Sequence, residues 1–255
     1  MEQRENDPVT YVRELEIEAF DSTFNDARGD LEPAEVKIKE DVEQSFINAK
    51  SMVSFVSEVS AERRSDVLNS VLLAQLAANK KFPNEEQMIE WYKEFVETLN
   101  KMGWVIEGAE FSKFESATNI FEVENVIIDL LTTAFGGTFK VVITETLKAI
   151  KGLSDDDGKL KVFEKNTHSL SKGAFQIGLA SEKNGVVFLQ LGTFLLTSSN
   201  QIKRILFFKS TKDQTQLYYC SKSGTLNEDI YSRIRSQVQE KLSTKTTDFI
   251  AEIEI

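Results

Sequence analysis

The chain has 255 residues, 41% of them hydrophobic, and a formal net charge of −11 from 30 basic and 41 acidic side chains. This length is enough for one substantial core, and three prolines leave no room for a Pro-rich linker, so we favour a single domain. The acidic balance argues against nucleic acid as a partner, because phosphate binding needs a basic face. The single cysteine, Cys220, excludes an internal disulfide framework.

Targeting signals are absent from the sequence pattern. The first ten residues, MEQRENDPVT, are charged and precede no apolar segment, unlike a secretory signal peptide. No apolar run reaches the roughly 18 residues that a membrane-spanning helix needs. We therefore expect a protein that is soluble and cytoplasmic when it is synthesised.

The N-terminal segment differs in character from the rest of the chain. Residues 1–40 are acidic and polar, so we expect an extended N-terminal arm, followed by one folded domain over residues 41–255. The apolar spacing after Asp41 fits a helix, whereas the β-branched residues of 52–59 fit a strand equally well. Both structures stay open for this stretch.

Two amphipathic helices are predicted in the first half of the chain. Residues 65–80 carry leucine and valine side chains on one helical face. Asn84 predicts the start of the next helix, because it can cap the first turn and Gln87 stands three positions later. Gly103 predicts the end of that helix, and the loose alternation of residues 104–114 favours an edge strand.

Residues 121–150 have the pattern of a helical hairpin. Apolar residues repeat at helical spacing on both sides of Gly136 and Gly137, which break the pattern. Because the hairpin carries few charges for its length, we expect it to be buried. Residues 154–158, SDDDG, form a turn rather than a calcium loop, since the glycine comes too early and no acidic residue closes the loop.

A run of short strands organises the second half of the chain. We predict strands at 159–167, 174–182, 185–198, 202–211 and 215–222. Around VFLQLGTFLL both sets of alternating side chains are apolar, which is typical of a central strand covered on both sides. Asn184 and Gly185 predict a hairpin turn before it. Asn227 then caps a last amphipathic helix, and residues 249–255 alternate as a final strand. The architecture that follows is helices, sheet, helices.

Few residues are candidates for catalysis or ligand binding. Dinucleotide fingerprints, phosphate loops and zinc-ligand spacings are absent, and we expect no metal site. His168 lies in a polar stretch and is explained more simply as a surface residue than as a catalytic base. Cys220 is explained more simply as a small buried side chain. The sharper alternative is a reactive or acylated thiol, with Tyr218 on the same strand face, or a nucleophile paired with His168.

Three stretches resemble the cytolytic (Cyt) delta-endotoxins of insecticidal bacteria. Residues 103–153, GWVIEGAEFSKFESATNIFEVENVIIDLLTTAFGGTFKVVITETLKAIKGL, are similar to the family's apolar strand and the Gly-containing helical hairpin after it. Residues 162–216, from VFEKNTH to TKDQTQ, are similar to its strand block. VLNSVLLAQLAAN resembles an upstream helix, so the resemblance extends over residues 65–222.

This resemblance implies an α/β (α+β) single-domain fold with three layers, in which an antiparallel sheet lies between two helical hairpins. The fold is shared by a fungal pore-forming cardiotoxin and by the Erwinia virulence factor family, in which a cysteine carries a palmitoyl group. It therefore implies a virulence or cytolysin-like protein that interacts with lipid or membrane, forms pores as a homo-oligomer, and is released or delivered to host membranes. Cys220 is the one residue here that can take the acylated role.

Two other functions stay open. One is a carrier or acyl-thioester enzyme that holds a fatty acid such as palmitate, covalently at Cys220 or non-covalently; enzymatic activity would then be acyltransferase-like. The other is a protein interaction module. The net charge of −11 argues against simple electrostatic docking on anionic lipid. That charge favours the carrier over the toxin.

Overall fold

A mixed β-sheet between helical layers forms the centre of the computed structural model, which describes residues 7–18, 36–108, 110–243 and 245–255. The helices are α1 (Pro8–Glu14), α2 (Ala61–Lys81), α3 (Met88–Lys101), α4 (Val123–Phe135), α5 (Gly137–Gly152), α6 (Gly158–Thr167), α7 (Glu228–Leu242) and α8 (Lys245–Phe249). The strands are β1 (Gln44–Asn48), β2 (Ser51–Phe55), β3 (Trp104–Ile106), β4 (Ser112–Lys113), β5 (Ile120–Glu122), β6 (Lys172–Lys183), β7 (Val186–Ser198), β8 (Lys209–Thr211), β9 (Thr215–Leu226) and β10 (Ile250–Ile253). None of the helices in these ranges is long and apolar enough to cross a membrane.

The strands of the main sheet run in the order β10-β1-β2-β6-β7-β9-β3, and β4 pairs with the N-terminal half of β9. The sheet is mixed rather than wholly antiparallel as predicted, because β2 and β6 pair in parallel. Parallel neighbours need a long crossover connection. Here that connection contains α2 to α6, together with β3, β4 and β5. β5 and β8 form a separate two-stranded sheet.

Two helical layers cover the two faces of the central strand β7, as predicted from its apolar alternation. Val187 and Leu191 pack in one core with the side chains of α2, α3 and α7. Phe194 and Leu196 pack in a second core with α4, α5 and α6. Leu131 of α4 occupies the space that a Cβ at Gly192 would take, so α4 approaches the sheet closely at this point.

Turn and cap residues account for several element boundaries. Asn184 and Gly185 both have positive φ, at 53° and 76°, as a two-residue hairpin turn with a right-handed strand twist requires. Gly136 separates α4 from α5 with φ at 89°. The side chain of Asn227 accepts a hydrogen bond from the backbone N–H of Ile230 and caps α7. These boundaries confirm the predicted hairpins and the predicted C-terminal helix.

The segment after Asp41, for which both helix and strand stayed possible, forms strands. Residues 44–48 and 51–55 are β1 and β2, and every residue of both strands is buried. Ala49, at the turn between them, has a positive φ of 51°. Of residues 52–59, the first four therefore belong to a strand, as one of the two alternatives predicted.

Three predictions about elements were wrong. Residues 159–167 form the helix α6 rather than a strand, because the Asp157 carboxylate accepts hydrogen bonds from the N–H groups of Lys159 and Leu160 and caps the first turn. Residues 202–211 contain a 3₁₀ turn, Ile205–Phe207, and only the short strand β8. Residues 8–14 of the predicted extended arm form α1, capped by Asp7, whereas residues 1–6 and 19–35 of that arm lie outside the described residues.

Candidate functional site

Cys220 lies in the core on the α2–α3 side of the sheet. Its side chain is 2% exposed and belongs to the same apolar cluster as Leu191 and Tyr92. Burial raises the pKa of the Cys220 thiol, and the neighbouring Tyr92 hydroxyl only partly offsets this effect. Because the thiolate is the reactive form, this environment favours an unreactive thiol. Tyr218, two residues earlier in β9, is 38% exposed.

The Tyr92 hydroxyl beside Cys220 is buried, and no hydrogen-bond partner of normal geometry faces it in the described part of the chain. Burial raises the pKa of Tyr92, so the phenol stays protonated. Four cavities along the described surface have no wall formed by Cys220. Acylation of Cys220 stays a prediction, and an acyl chain there would have to displace the α3 side chains that pack on it.

His168 and Cys220 do not come together. Cys220 pairs in register with Thr193 of β7, whereas His168 bridges to Gly173 on the opposite side of β6. The strands β6 and β7 lie between the two residues, and three strand spacings amount to about 14 Å. That separation is far beyond hydrogen-bond reach, so the structure does not support the nucleophile pair.

His168 instead pairs with a glutamate on its own helix. Nδ1 of His168 lies 3.1 Å from Oε2 of Glu164, one turn earlier in α6. The same carboxylate oxygen accepts a hydrogen bond from the backbone N–H of Ile205 at 3.1 Å, which fixes the carboxylate in place. The Glu164 contact orients the imidazole through Nδ1. Nε2 has no hydrogen-bond partner among the described residues. His168 is only 10% exposed in its side chain, so it is not the surface residue that its polar surroundings suggest.

A cavity of about 330 Å³ lies next to His168, at the end of the sheet where the β1–β2 turn meets the start of β6. The C-terminal turns of α2 and α6 and the first turns of α3 complete its walls. The residues around it are Glu18, Lys50, Asn79, Phe82, Pro83, Asn84, Glu85, Met88, Trp91, Lys165, Asn166, Thr167, His168, Lys172, Gly173 and Ala174. The cavity therefore combines an apolar wall with cationic, carboxylate and amide groups.

Lys50 is the residue of this cavity that sequence reasoning missed. Its Nζ lies 5.0 Å from the centre of the Trp91 ring. Burial lowers the pKa of Lys50, and the carboxylates of Glu18 and Glu85 only partly counteract this. No hydrogen bond or ion pair of Nζ occurs within the described residues. A lysine between two short strands carries no sequence signal that separates it from a surface lysine.

The hairpin α4–α5 contacts the sheet through a second feature, a buried cluster of three hydroxyl groups. Oγ of Ser45 lies 2.7 Å from Oγ of Ser54 and 2.8 Å from Oγ1 of Thr146. Ser45 and Ser54 belong to β1 and β2, whereas Thr146 belongs to α5. The contact between this helix and the sheet is thus polar at its centre, inside an otherwise apolar layer.

The fold is a three-layer α+β sandwich, with one mixed sheet flanked by helices, and this is the class that the Cyt-like resemblance implies. No protein-family model and no curated protein matches the chain. A solved structure titled "delta-endotoxin" is similar at a TM-score of 0.37 and 13% identity, covering 70% of this chain and 81% of that chain. The "Structure of the Evf virulence factor" is similar at a TM-score of 0.30 and 11% identity, covering 90% of each chain. Both TM-scores lie below 0.5.

Proposed function

We propose that the protein acts at lipid membranes, and that it does so by exchanging the α4–α5 layer over its sheet for lipid. The observation that carries this proposal is the central strand β7, whose apolar side chains are buried on both faces by separate helices, and to which β6 and β9 add further apolar side chains on the α4–α6 side. A sheet of this kind keeps its own backbone hydrogen bonds when a helical layer leaves. Lipid chains can then replace the lost apolar contacts.

The hairpin α4–α5 has features suited to leaving the sheet. Val141 is 58% exposed on α5, and Ile120, just before α4, is 66% exposed, so apolar side chains already face solvent on this layer. Gly136 lies in open space between the two helices, with no heavy atom within 4 Å of a Cβ built there. Exposed apolar side chains also occur on the opposite layer, as at Ile89 of α3, so the argument depends on the contacts beneath the hairpin.

The exchange would be governed by the contacts between the hairpin and the sheet. One is Leu131 over Gly192, which is apolar and tightly packed. The other is the hydroxyl cluster of Ser45, Ser54 and Thr146. When lipid replaces the hairpin, Ser45 and Ser54 keep their mutual hydrogen bond at 2.7 Å within the sheet, and Ser45 gives up its bond to Thr146. This contact would hold the hairpin in place without making its release costly.

The membrane-bound form would have to be oligomeric. An open sheet edge is not tolerated in hydrocarbon, since every backbone group there needs a partner. Several copies would therefore pair their edges. With a net charge of −11 the protein should not depend on anionic lipid for docking. In this role it would be released or delivered to the membranes of another cell.

A disulfide between the two layers tests the proposal. Ser45→Cys with Thr146→Cys places two thiols where side-chain oxygens now lie 2.8 Å apart, within reach of disulfide geometry. Dye release from liposomes of neutral, anionic and mixed lipid is measured for the oxidised and reduced forms. We expect the oxidised form to release no dye and the reduced form to recover the activity of the unmodified protein.

A matched control places a disulfide inside the sheet. Ser198 and Thr215 lie opposite each other on β7 and β9, with side-chain oxygens 3.2 Å apart. Ser198→Cys with Thr215→Cys should leave dye release unchanged in both redox states. If the oxidised layer-crossing disulfide released dye as fast as its reduced form, the hairpin would not need to leave. If the unmodified protein released dye from none of the liposomes, pore formation would be excluded.

A further inference from the structure

We propose that the cavity beside Lys50 binds a small organic carboxylate, with the acid group held by Lys50 and His168 and an aromatic or aliphatic body packed on Trp91. This site is distinct from the α4–α5 layer and from Cys220. The proposed carboxylate site does not depend on membrane action. Its volume of about 330 Å³ lies at the lower end of the range for small-molecule sites.

The charged groups of the cavity differ in the partners that the protein already gives them. The carboxylate of Glu18 accepts a hydrogen bond from the Asn79 side chain at 2.8 Å, and Glu85 accepts one from the Ser169 hydroxyl at 2.7 Å. Lys172 is paired with Glu86. Lys50 is the exception in this group, since its ammonium contacts the Trp91 ring and no carboxylate. A cation withdrawn from water without an acidic partner is costly, and an anionic ligand would supply that partner.

A second donor, His168, lines the same cavity. The Glu164 carboxylate holds Nδ1 of His168 at 3.1 Å, so the nitrogen not held by the protein is Nε2. Because Nδ1–H donates to Glu164, Nε2 donates only in the imidazolium form; it can then donate to one oxygen of a carboxylate while the Lys50 ammonium donates to the other. Two donors from different elements, the β1–β2 turn and the end of α6, favour a planar two-oxygen acid group over a single-atom anion.

The remaining wall fits the body of such an acid. Phe82, Met88 and Trp91 present aromatic and thioether surface, and Ala174 adds a small apolar patch. The Trp91 ring is fixed at its edge and on one face. Its Nε1–H donates to the side-chain oxygen of Asn79 at 2.7 Å, and the ring stacks on Phe95 with centroids 5.5 Å apart. A rigid aromatic face beside a cation is a common way to orient a small ligand.

Binding of defined probes tests the site. Phenylacetate and octanoate are titrated into the full chain by calorimetry, beside their neutral amides, phenylacetamide and octanamide. We expect saturable binding of at least one acid and binding of its amide that is weaker by about tenfold or more, because the amide lacks the charge-assisted hydrogen bonds. Binding of phenylacetate or of octanoate shows whether the body of the ligand is aromatic or aliphatic.

Variants assign the binding to the named residues. Lys50→Met should weaken acid binding by about tenfold or more and leave the weak amide binding unchanged. Lys80→Met removes an exposed lysine in the last turn of α2 that lines no part of the cavity, and should leave both affinities unchanged. Circular dichroism shows whether Lys50→Met folds. If it does not, His168→Gln serves as the second variant. Failure of every acid to bind at millimolar concentration, or equal binding of acid and amide, would overturn the proposal.

Discussion

Replacing Leu131 with alanine should loosen the α4–α5 layer more than any other part of the fold. Leu131 is fully buried, and its side chain fills the space above Gly192, where the hairpin comes closest to the sheet. Gly192 beneath it has no side chain to fill the vacated volume, and the neighbouring Phe194 ring is held by stacking on Phe175, with centroids 5.1 Å apart. The cavity left by the substitution should therefore stay open.

The size of the effect follows from the atoms removed. Leu131→Ala deletes about three buried carbon groups at about 0.8 kcal/mol each. The unfilled cavity adds to this loss, which places the expected destabilisation at about 3–5 kcal/mol. Urea unfolding measures the total, and hydrogen exchange of the α4 and α5 amides locates it. We expect the exchange of these amides to accelerate more than that of α2 or α3.

Leu72→Ala is the matched control, since Leu72 is equally buried in the opposite layer. It should cost a similar free energy of unfolding but leave exchange in α4 and α5 unchanged. On liposomes, Leu131→Ala should release dye faster than Leu72→Ala, because only the former weakens the layer that leaves. A loss below about 1 kcal/mol for Leu131→Ala would refute the packing argument. Equal dye release by the two variants would refute the link between this layer and membranes.

Three further predictions concern separate parts of the molecule. Burial raises the pKa of the Cys220 thiol, so thiol reagents should label the folded protein slowly at pH 8 and the urea-unfolded protein rapidly, while intact mass spectrometry reports whether the residue carries an acyl group. Gly185→Ala should cost about 1–2 kcal/mol of unfolding free energy because φ is 76°, whereas Gly152→Ala, which lacks a positive φ, should be neutral or slightly stabilising; equal effects would contradict the turn assignment. Burial lowers the pKa of Lys50, so a charged Lys50 costs folding free energy. This cost is absent above the unfolded pKa of about 10.4 and is complete once the pH has fallen below the folded pKa. Lys50→Met should therefore raise the urea midpoint at neutral pH, and the gain should shrink as the pH approaches 10.4; a gain independent of pH would contradict this cause.

The sequence was most informative where apolar periodicity was long. The two-sided alternation of β7 predicted a sheet covered on both faces, and its residues do divide between two cores. The glycine pair at 136–137 predicted the helical hairpin, because no other residues interrupt the spacing. In both cases the pattern extends over more than ten residues, so chance agreement with the wrong period is small.

Short segments were misjudged where a cap signal was overlooked. Leu160 and Val162 alternate as in a strand, but Asp157 before them is a helix cap, and a capped ten-residue segment forms α6. Similarly, Asp7 followed by Pro8 is a cap and a first-turn proline, which together begin α1. The overall polarity of the segment concealed this signal.

The candidate binding site could not be predicted, because its residues are distant in sequence and individually ordinary. Lys50, Trp91 and His168 come from a strand turn, a helix face and a helix end. Their meeting depends on the parallel pairing of β2 with β6, which brings the β1–β2 turn beside the start of β6. Neither strand carries a local signal that specifies its partner or the direction of pairing.

The position of β10 has a consequence for assembly and quality control. β10 pairs with β1, a strand more than 200 residues earlier whose every residue is buried. Until β10 has been synthesised and has paired, β1 presents an uncovered row of backbone donors and acceptors with apolar side chains on both sides. Such an edge is a template for pairing between chains. The four residues of Ile250–Ile253 therefore act as a closing strand. A ribosome-bound or C-terminally trimmed chain would be the form of this protein most prone to aggregate and to require a chaperone.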